Sequence, residues 1–571
     1  MPLSTVPYGI SSFSLLRRRS FAYVDKTWVI EKLEAVDKQV MLFLRPRRFG
    51  KSMMTQMLLA YYDQASQGGF DQLFQGTYIY EHCTEMKGAY EVLLLDFSGI
   101  STGEDACAAF TKNLVNCIQK FAKRYPQYDF SGFDDKNYAN PTQALDEFIG
   151  IFVKKADRPI YLLIDEYDHF ANELLSKDVD EFRKITSNNG WLKTFYASIK
   201  KFIGLDIIER VFMTGVTHIS LDSMTSGFNV AVPVSGNVEL LNAAGFTAEE
   251  LRTLIAQTID PSWLNSSIDE IFSRMKDYYN GYRFDPSAQE GVFNPSMCLY
   301  YLYQLQNRHR EPRNMLDPAV SMDLSKISGI FSLAEAEDVV QIVNRITMGE
   351  AVYPEEGYLP EEANLNLNQK LKLAHDDVLM LLFMMGYLTY REGEDDALVC
   401  PNKAVLNQFF CYYFDYLKKV ELRFNRSKLP EVVRDLKDGS IVELMRWISE
   451  TLKAACGQHA APYFPEINLQ IAAAFALLPT SEFSVQIEPE AHGKGFMDLL
   501  IRPTDSRSGA SAIIVEFKMV KAKAPKAAVD KALQAAKSQA VRYASAFAAD
   551  EKLKKYAVVF AASEVAAMEE C

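Results

Sequence analysis

Four short apolar runs, VMLFL (40–44), VLLLDF (92–97), IYLLID (160–165) and ERVFMTGV (209–216), recur along the first part of the chain. Long amphipathic stretches such as DACAAFTKNLVNCIQKFAK separate them. A run apolar on successive residues is a strand buried on both faces, and strands that alternate with helices must pair in parallel. The pattern therefore predicts a doubly wound α/β sheet. At 571 residues with 48% hydrophobic content, the chain has material for several cores.

The remaining chain predicts three further regions, so the expected division is 1–240, 241–310, 311–445 and 446–571. Residues 241–310 turn helical, and FTAEELRTLI opens with Thr247 as N-cap and Glu250 three residues on, the spacing of a capping box. That reads as a helical lid. Within 311–445, GYLTYREGEDDALVCPNKAVLNQFF predicts helix end, hairpin and helix, a winged-helix-like order. Glu392, Glu394, Asp395 and Asp396 crowd the hairpin tip, so repulsion from phosphates favours a structural connector over a DNA reader. The last 130 residues or so read as helix, three strands near 483–490, 496–502 and 512–519, a long Ala/Lys helix and a final strand.

A net charge of -13 excludes a generally basic surface and leaves room only for local nucleic-acid patches. The eight cysteines are scattered, with no C-x-x-C pair and no His at zinc-ligand spacing, and read as reduced thiols. The first 20 residues lack the order of a signal peptide, and the apolar run near 378–388 is too short to span a bilayer. Both point to a soluble cytoplasmic protein with no membrane partner.

The first apolar run ends at FLRPRRFGKS (43–52), and MMTQMLLAYY follows with helical spacing. Strand, loop and helix with Gly50, Lys51 and Ser52 make the working half of a phosphate-binding loop. Backbone N–H groups at a helix N-terminus surround the phosphates, Lys51 neutralises charge and Ser52 holds Mg²⁺. Arg45 stands where the general motif has its first Gly, a position that serves backbone geometry. Arg47 and Arg48 add positive charge, and with Phe49 they complete the cofactor-binding stretch. YLLIDEYD then supplies Asp165, to bind Mg²⁺ through water, and Glu166, to polarise the attacking water. Thr214, at the end of another strand, is the candidate γ-phosphate sensor, and Asp96, closing VLLLDFS, is a weaker support for the metal shell.

In the last region, KGFMDLLI places Asp498 on one strand and AIIVEFKMV places Glu516 and Lys518 two apart on the next, hence on one face. Two carboxylates hold Mg²⁺, or Mn²⁺ as an alternative, while the lysine orients water or stabilises the pentavalent charge. Glu466 opens the preceding helix as an additional acid. Gln539 and Tyr543 lie four apart on one helix face. Seven basic residues against one acid from Lys518 to Arg542, Lys521 and Lys523 among them, make a local patch able to follow a nucleic-acid backbone. Read without context, the same patch is a solvated helix face.

VPYGISSFSLLRRRSFAYVDKTWVIEKL with Asp25, Lys26 and Thr27, then RPRRFGKS, IDEYD, TGV (214–216), YNGYRFD (279–285) and VFNPSM (292–297) resemble one family over nearly the whole chain. It is the family of bacterial and archaeal AAA-ATPase-like proteins that carry a C-terminal PD-(D/E)XK nuclease domain. In that family Arg-Pro-Arg-Arg-Phe-Gly-Lys-Ser is the usual form of the loop, so Arg45 is a family trait. The resemblance implies a P-loop ATPase using ATP and Mg²⁺, a restriction-endonuclease-like C-terminal fold, and nuclease roles for Asp498, Glu516, Lys518 and Glu466, with Gln539 and Tyr543 matching positions of that domain. One departure is Phe496-Met497 ahead of Asp498, where relatives often carry Gly-Arg, so a phosphate-contacting Arg is missing. Two alternatives remain open: an ATP-driven switch or scaffold whose C-terminal domain only binds, and a latent defence effector. Oligomer formation and an arginine finger, for which Arg210 and Arg283 are candidates, are not decided by the sequence.

Overall fold

The computed structural model describes residues 3–100, 105–133, 138–170, 173–174, 179–186, 190–217, 230–263, 267–312, 315–317, 342–343, 345–346, 350–355, 357–359, 373–406, 408–409, 426–456, 466–477, 480, 482–487, 497–504, 508–547 and 552–571. The chain divides into two compact units, Met1–Gln408 and Phe409–Cys571. That division falls inside the stretch expected as a 311–445 connector.

In the first unit the apolar runs become β1 (Val40–Leu44), β2 (Glu91–Asp96), β3 (Ile160–Asp165) and β4 (Ile208–Gly215), joined by a short β5 (Val232–Pro233). They form one sheet in the order β2-β3-β4-β1-β5, and every pairing is parallel. Every residue of β1 and of β3 is buried, as a parallel sheet covered on both faces requires. The helices Ala106–Arg124, Pro141–Phe152 and Trp191–Ile203 turn their apolar stripes inward. Because β4 lies between β1 and β3, its C-terminal end brings Thr214 between the loop after β1 and the acids after β3. The expected doubly wound α/β sheet is what the chain forms.

A second core of the same unit gathers Leu251, Leu254, Ile271, Tyr279, Phe293 and Tyr301 together with Val6 and Ala22. The helices Ala248–Thr258, Ile268–Tyr279 and Pro295–Arg308 supply most of it. The capping box is present: Glu250 N–H donates to Thr247 Oγ1 at 3.2 Å and Thr247 N–H to Glu250 Oε2 at 2.8 Å. Glu250 has a further duty the sequence did not signal, since it pairs with Lys26 Nζ at 2.8 Å. Further on, the helix His375–Met384 is followed by an antiparallel hairpin of β6 (Thr389–Tyr390) and β7 (Leu398–Val399), then by helical residues from 403. The order helix, hairpin, helix is the one expected. The tip acid Glu392 is held by Arg283 at 2.7 Å.

The second unit is a five-stranded sheet, β8 (Phe483–Ile487), β9 (Leu499–Pro503), β10 (Ala512–Val520), β11 (Leu553–Ala561) and β12 (Glu564–Glu570), ordered β12-β11-β10-β9-β8. Only the β10–β11 pair is parallel, and the helix Lys526–Ala544 connects the two. Leu499, Ile501, Ile513, Val515 and Phe517 face the core made with the helices Leu429–Lys437, Val442–Cys456 and Glu466–Leu477. Leu500 and Ile514 face the opposite way, toward Tyr543. The edge strand β12 was not anticipated, because EVAAMEE is mostly exposed and has too little apolar alternation to read as a strand. Among the described residues, no helix is long and apolar enough to cross a membrane.

Candidate functional site

The loop after β1 turns on two left-handed residues, Arg48 at φ 68° and Gly50 at φ 91°. Gly50 caps the helix Lys51–Tyr62, and only glycine takes that φ without steric cost. Arg48 bears the cost a Cβ imposes, and its carbonyl accepts a bond from Ser296 Oγ at 3.2 Å.

Arg45 explains its own presence. Its guanidinium is buried and donates to the carbonyls of Leu44 (2.9 Å), Ser235 (3.0 Å), Leu240 (3.2 Å) and Leu241 (3.3 Å). It lies over the rings of Phe43 and Phe284, at 4.6 and 4.3 Å from their centroids. Burial pushes its pKa down to about 9. The residue that replaces the first glycine is a strut that ties the loop to residues 235–241.

Lys51 is buried, and its ammonium donates to the carbonyls of Arg45 and Pro46, both at 2.9 Å. Burial lowers its pKa, and the nearby charges of Glu166, Asp168 and Asp165 act in the opposite direction. Asp165 Oδ1 accepts from Thr214 Oγ1 at 2.5 Å, so the expected acid and the expected sensor are in contact. Glu166 sits at φ 51°, a conformation that costs energy in a non-glycine residue. Ser52 lines, with Glu166, an apolar cavity of ≈ 310 Å³ whose walls include Ile10, Val24, Met53, Met57, Phe246 and Leu254.

The other loop residues divide by role. Arg47 Nη2 donates to His169 Nδ1 at 3.0 Å, and that nitrogen lies 3.5 Å from Glu166 Oε2. Phe49 is buried edge-on against Tyr282 and Phe284, at 4.8 and 5.4 Å. Phe49, expected as a nucleotide contact, packs on these two rings and also lines the cavity beside Ser52. Asp96 Oδ1 accepts from Ser98 N–H at 3.0 Å and Ser98 Oγ at 2.6 Å, closing a local turn. Arg210 lies four residues before Thr214 on β4, roughly 13 Å along the strand, and Arg283 holds Glu392.

Sequence reasoning passed over Asp168 and His169. The carboxylate of Asp168 is buried and accepts from Val216 N–H (3.0 Å), Thr217 N–H (2.7 Å) and Thr217 Oγ1 (3.0 Å), fixing the end of β4 against the acids after β3. The third acid of YLLIDEYD was the available signal.

In the second unit, the β9–β10 register ends at Val515↔Leu499, so Asp498 stands opposite Glu516 one position on. Asp498 precedes β9 by one residue, where a strand position had been expected. Its N–H donates to Glu516 Oε1 at 3.1 Å, and its Oδ2 accepts from Phe517 N–H at 2.6 Å. Glu516 is buried at 1% exposure; Lys518, two residues on, is half-buried and shares its strand face. Asp498 and Glu516 are thus neighbours across the two strands, and Lys518 follows Glu516 on the same strand face. Glu466 begins its helix, but its side chain lies outside the described residues. One turn later, Gln470 is buried with its Nε2 on Asp498 Oδ1 at 3.1 Å, and its Oε1 has no hydrogen-bond partner. Sequence reasoning missed it, although its spacing of four from Glu466 puts both on one helix face.

Tyr543 is buried against Met497, Leu500 and Ile514 and accepts from Arg542 at 2.6 Å. Tyr543 had been expected as a nucleic-acid-binding position; its ring fills the core under the helix Lys526–Ala544. Gln539 is half-buried on the same helix, with its Oε1 buried and without a hydrogen-bond partner. Lys521, Lys523, Lys526 and Lys531 are exposed, while Lys537 pairs with Glu569 at 2.8 Å.

Both acid sites offer hard oxygen donors of the kind Mg²⁺ takes: Ser52 with Asp165, and Asp498 with Glu516. Among the described residues, no group of three or more His, Cys, Asp or Glu is placed to hold a metal ion.

Residues 7–225 match the AAA-ATPase-like family, described as a predicted AAA-ATPase. No curated protein matches the chain. Among solved structures, a Walker-type ATPase of Pyrococcus abyssi is similar at 14% identity and a TM-score of 0.35, covering 68% of this chain and 96% of its own. Cdc6p from Pyrobaculum aerophilum is similar at 12% identity and a TM-score of 0.27, covering 70% of this chain and 96% of its own. Likenesses this slight carry no argument. The family match and the loop after β1 agree: the N-terminal region is a parallel-sheet P-loop ATPase-like domain that binds ATP. The match stops short of Asp498, Glu516 and Lys518.

Proposed function

We propose that the protein hydrolyses ATP and that its nucleotide state controls metal-dependent phosphodiester cleavage by the C-terminal unit. The phosphates of ATP lie at the N-terminus of the helix Lys51–Tyr62, where the Lys51 ammonium exchanges two loop carbonyls for phosphate oxygens. The base occupies the apolar cavity beside Ser52, whose volume and apolar walls suit a flat heterocycle. A divalent cation held by Ser52 and, through water, by Asp165 would supply neutralisation of the phosphate charge. Thr214 keeps the Asp165 carboxylate aimed, and Glu166 takes the position of the residue that orients attacking water.

The single observation that carries the cleavage reading is the pairing of Asp498 opposite Glu516, whose carboxylate accepts the Asp498 N–H, with Lys518 on the same strand face. A divalent cation between the two acids would polarise a phosphodiester, and Lys518 would stabilise the charge that develops on it. Gln470 orients Asp498 from its helix. The exposed lysines 521, 523, 526 and 531 provide positive charge along which a nucleic-acid backbone can lie. A second reading, a C-terminal unit that binds nucleic acid without cutting it, draws on the hydrogen bonds that already occupy both oxygens of Asp498.

The test is cleavage of supercoiled plasmid, linear duplex, single-stranded DNA and RNA by the full chain with Mg²⁺ or Mn²⁺, with and without ATP. Lys51→Ala and Asp498→Ala run beside it. Cleavage that disappears in Asp498→Ala and changes with ATP or in Lys51→Ala is the expected result. ATP turnover without cleavage of any substrate would overturn the nuclease reading and favour the second.

A further inference from the structure

The matched family region ends at residue 225, yet the phosphate loop is held from well beyond it. Five contacts from four residues converge on Arg45, Pro46, Arg48 and Phe49 of the loop. Phe284 covers one face of the Arg45 guanidinium at 4.3 Å. Tyr282 and Phe284 flank Phe49 edge-on, both at an interplanar angle of 80°. Ser296 Oγ bonds the carbonyl of the strained Arg48. Gly386, at φ 80°, abuts Pro46 so closely that a Cβ there would stand 2.8 Å from the Pro46 Cβ and Cγ.

These partners come from YNGYRFD and VFNPSM, two stretches that the ATPase chemistry does not otherwise use, and from the turn after the helix His375–Met384. The loop's unusual residues are the ones gripped: Arg45, Pro46, Arg48 and Phe49 each meet one of the partners, while Gly50, Lys51 and Ser52 are left to face the ligand.

We propose that Tyr282, Phe284, Ser296 and Gly386 are positioning residues for the ATP reaction, a clamp that sets the loop's backbone N–H groups in the phosphate-binding arrangement. The inference rests on the ATPase reading of the loop. None of the four touches phosphate in this scheme; Tyr282, Phe284 and Gly386 act through the loop residue they hold, and Ser296 does so while also lining the cavity assigned to the base. Phe284 also lines a groove of ≈ 950 Å³ together with Arg45 and Pro46, so a tyrosine hydroxyl at 284 has space to enter.

The test measures, on the full chain, dissociation of a fluorescent N-methylanthraniloyl-ATP, KM and kcat for ATP, and the melting temperature. Phe284→Leu keeps an apolar side chain but removes the ring, and it is expected to weaken nucleotide binding and raise KM about tenfold, the scale of cost expected from small misplacement of a binding group. Phe284→Tyr keeps the ring and restores binding to within about twofold. Ser296→Ala, a helix-favourable change that secures folding, is expected to weaken binding about threefold, the worth of one hydrogen bond. A merely structural role predicts instead a lowered melting temperature with unchanged KM in the fraction that folds. Wild-type affinity in both Phe284→Leu and Ser296→Ala overturns the clamp alone. Absence of ATP binding by the wild-type chain overturns both the clamp and the ATPase reading.

Discussion

Arg45→Gly restores the residue that a general phosphate loop carries at this position, and it is expected to damage the protein. The change strands the carbonyls of Leu44, Ser235 and Leu241, each of which accepts from the guanidinium, while Leu240 keeps the N–H of Ala243. A buried carbonyl left without a donor costs about 1–3 kcal/mol. The neighbouring groove, lined by Arg45 and Ser235, admits water, which sets each cost near the lower end. Roughly 3 kcal/mol is then lost, and relief from burying a guanidinium whose pKa is already pushed down to about 9 returns a part of it. A net loss of about 2–3 kcal/mol remains. With an unfolding entropy near 2.1 cal/mol/K per residue over Met1–Gln408, this lowers the melting temperature by roughly 3 °C. Calorimetry of the full chain, with and without ATP, reads the shift, and ATP turnover reads the displaced loop. An Arg45→Gly protein with unchanged melting and equal or faster turnover would refute the strut.

Thr214→Val keeps shape and removes the donor to Asp165, a charge-assisted bond whose loss leaves a buried carboxylate oxygen unsatisfied at roughly 1.5–3 kcal/mol. Turnover is expected to fall while ATP affinity stays within a few fold, and Thr214→Ser is expected to recover it; steady-state kinetics of the pair decide. The pH dependence of binding follows from Lys51, whose pKa is lowered chiefly by burial. Between that lowered value and the ordinary 10.5, the unfolded chain binds the proton and the folded chain does not. This residue's contribution to stability therefore rises with pH across that window. ATP affinity, which needs the ammonium, falls over the same window, and Lys51→Arg is expected to flatten the fall; titrations of nucleotide binding from pH 7 upward test both.

The sheet was legible because double burial leaves its mark on successive residues: VMLFL, VLLLDF, IYLLID and RVFMTG have no polar face to hide. Thr247 and Glu250 announced a helix start by spacing alone, since a capping box is local chemistry. Asp165 and Thr214 were legible as separate residues, and Asp498, Glu516 and Lys518 as a period-two pattern. What could not be read were the roles that depend on distant partners. Phe49 was legible as a loop residue, but not its packing on Tyr282 and Phe284, more than 230 residues along the chain. Tyr543 looks available on a helix until the far face of β9 and β10 is seen to need filling. Gln470 carries no signature, because an amide that orients a carboxylate is the same residue as any polar side chain of an Ala-rich helix. β12 failed for the opposite reason: an exposed edge strand has no face apolar enough to advertise itself.

The N-terminal segment shares a core with helices more than 220 residues downstream: Val6 and Ala22 pack among Leu251, Phe293 and Tyr301, and Lys26 closes on Glu250. During synthesis this segment leaves the ribosome first; Phe13 and Arg17 can dock early on Gln56, Leu73 and Phe74, but its first residues find their partners late. The strands up to β4 can collapse while residues 4–8 still wait for Gln257, Gln306 and Asp317. The nucleotide cavity, walled by Ile10 and Val24 on one side and Phe246 and Leu254 on the other, is therefore assembled only when most of the first unit has been translated. A ribosome stalled between the end of β4 and residue 250 would display the loop without its pocket, so premature fragments would be born unable to hold ATP and open to proteases at their first residues.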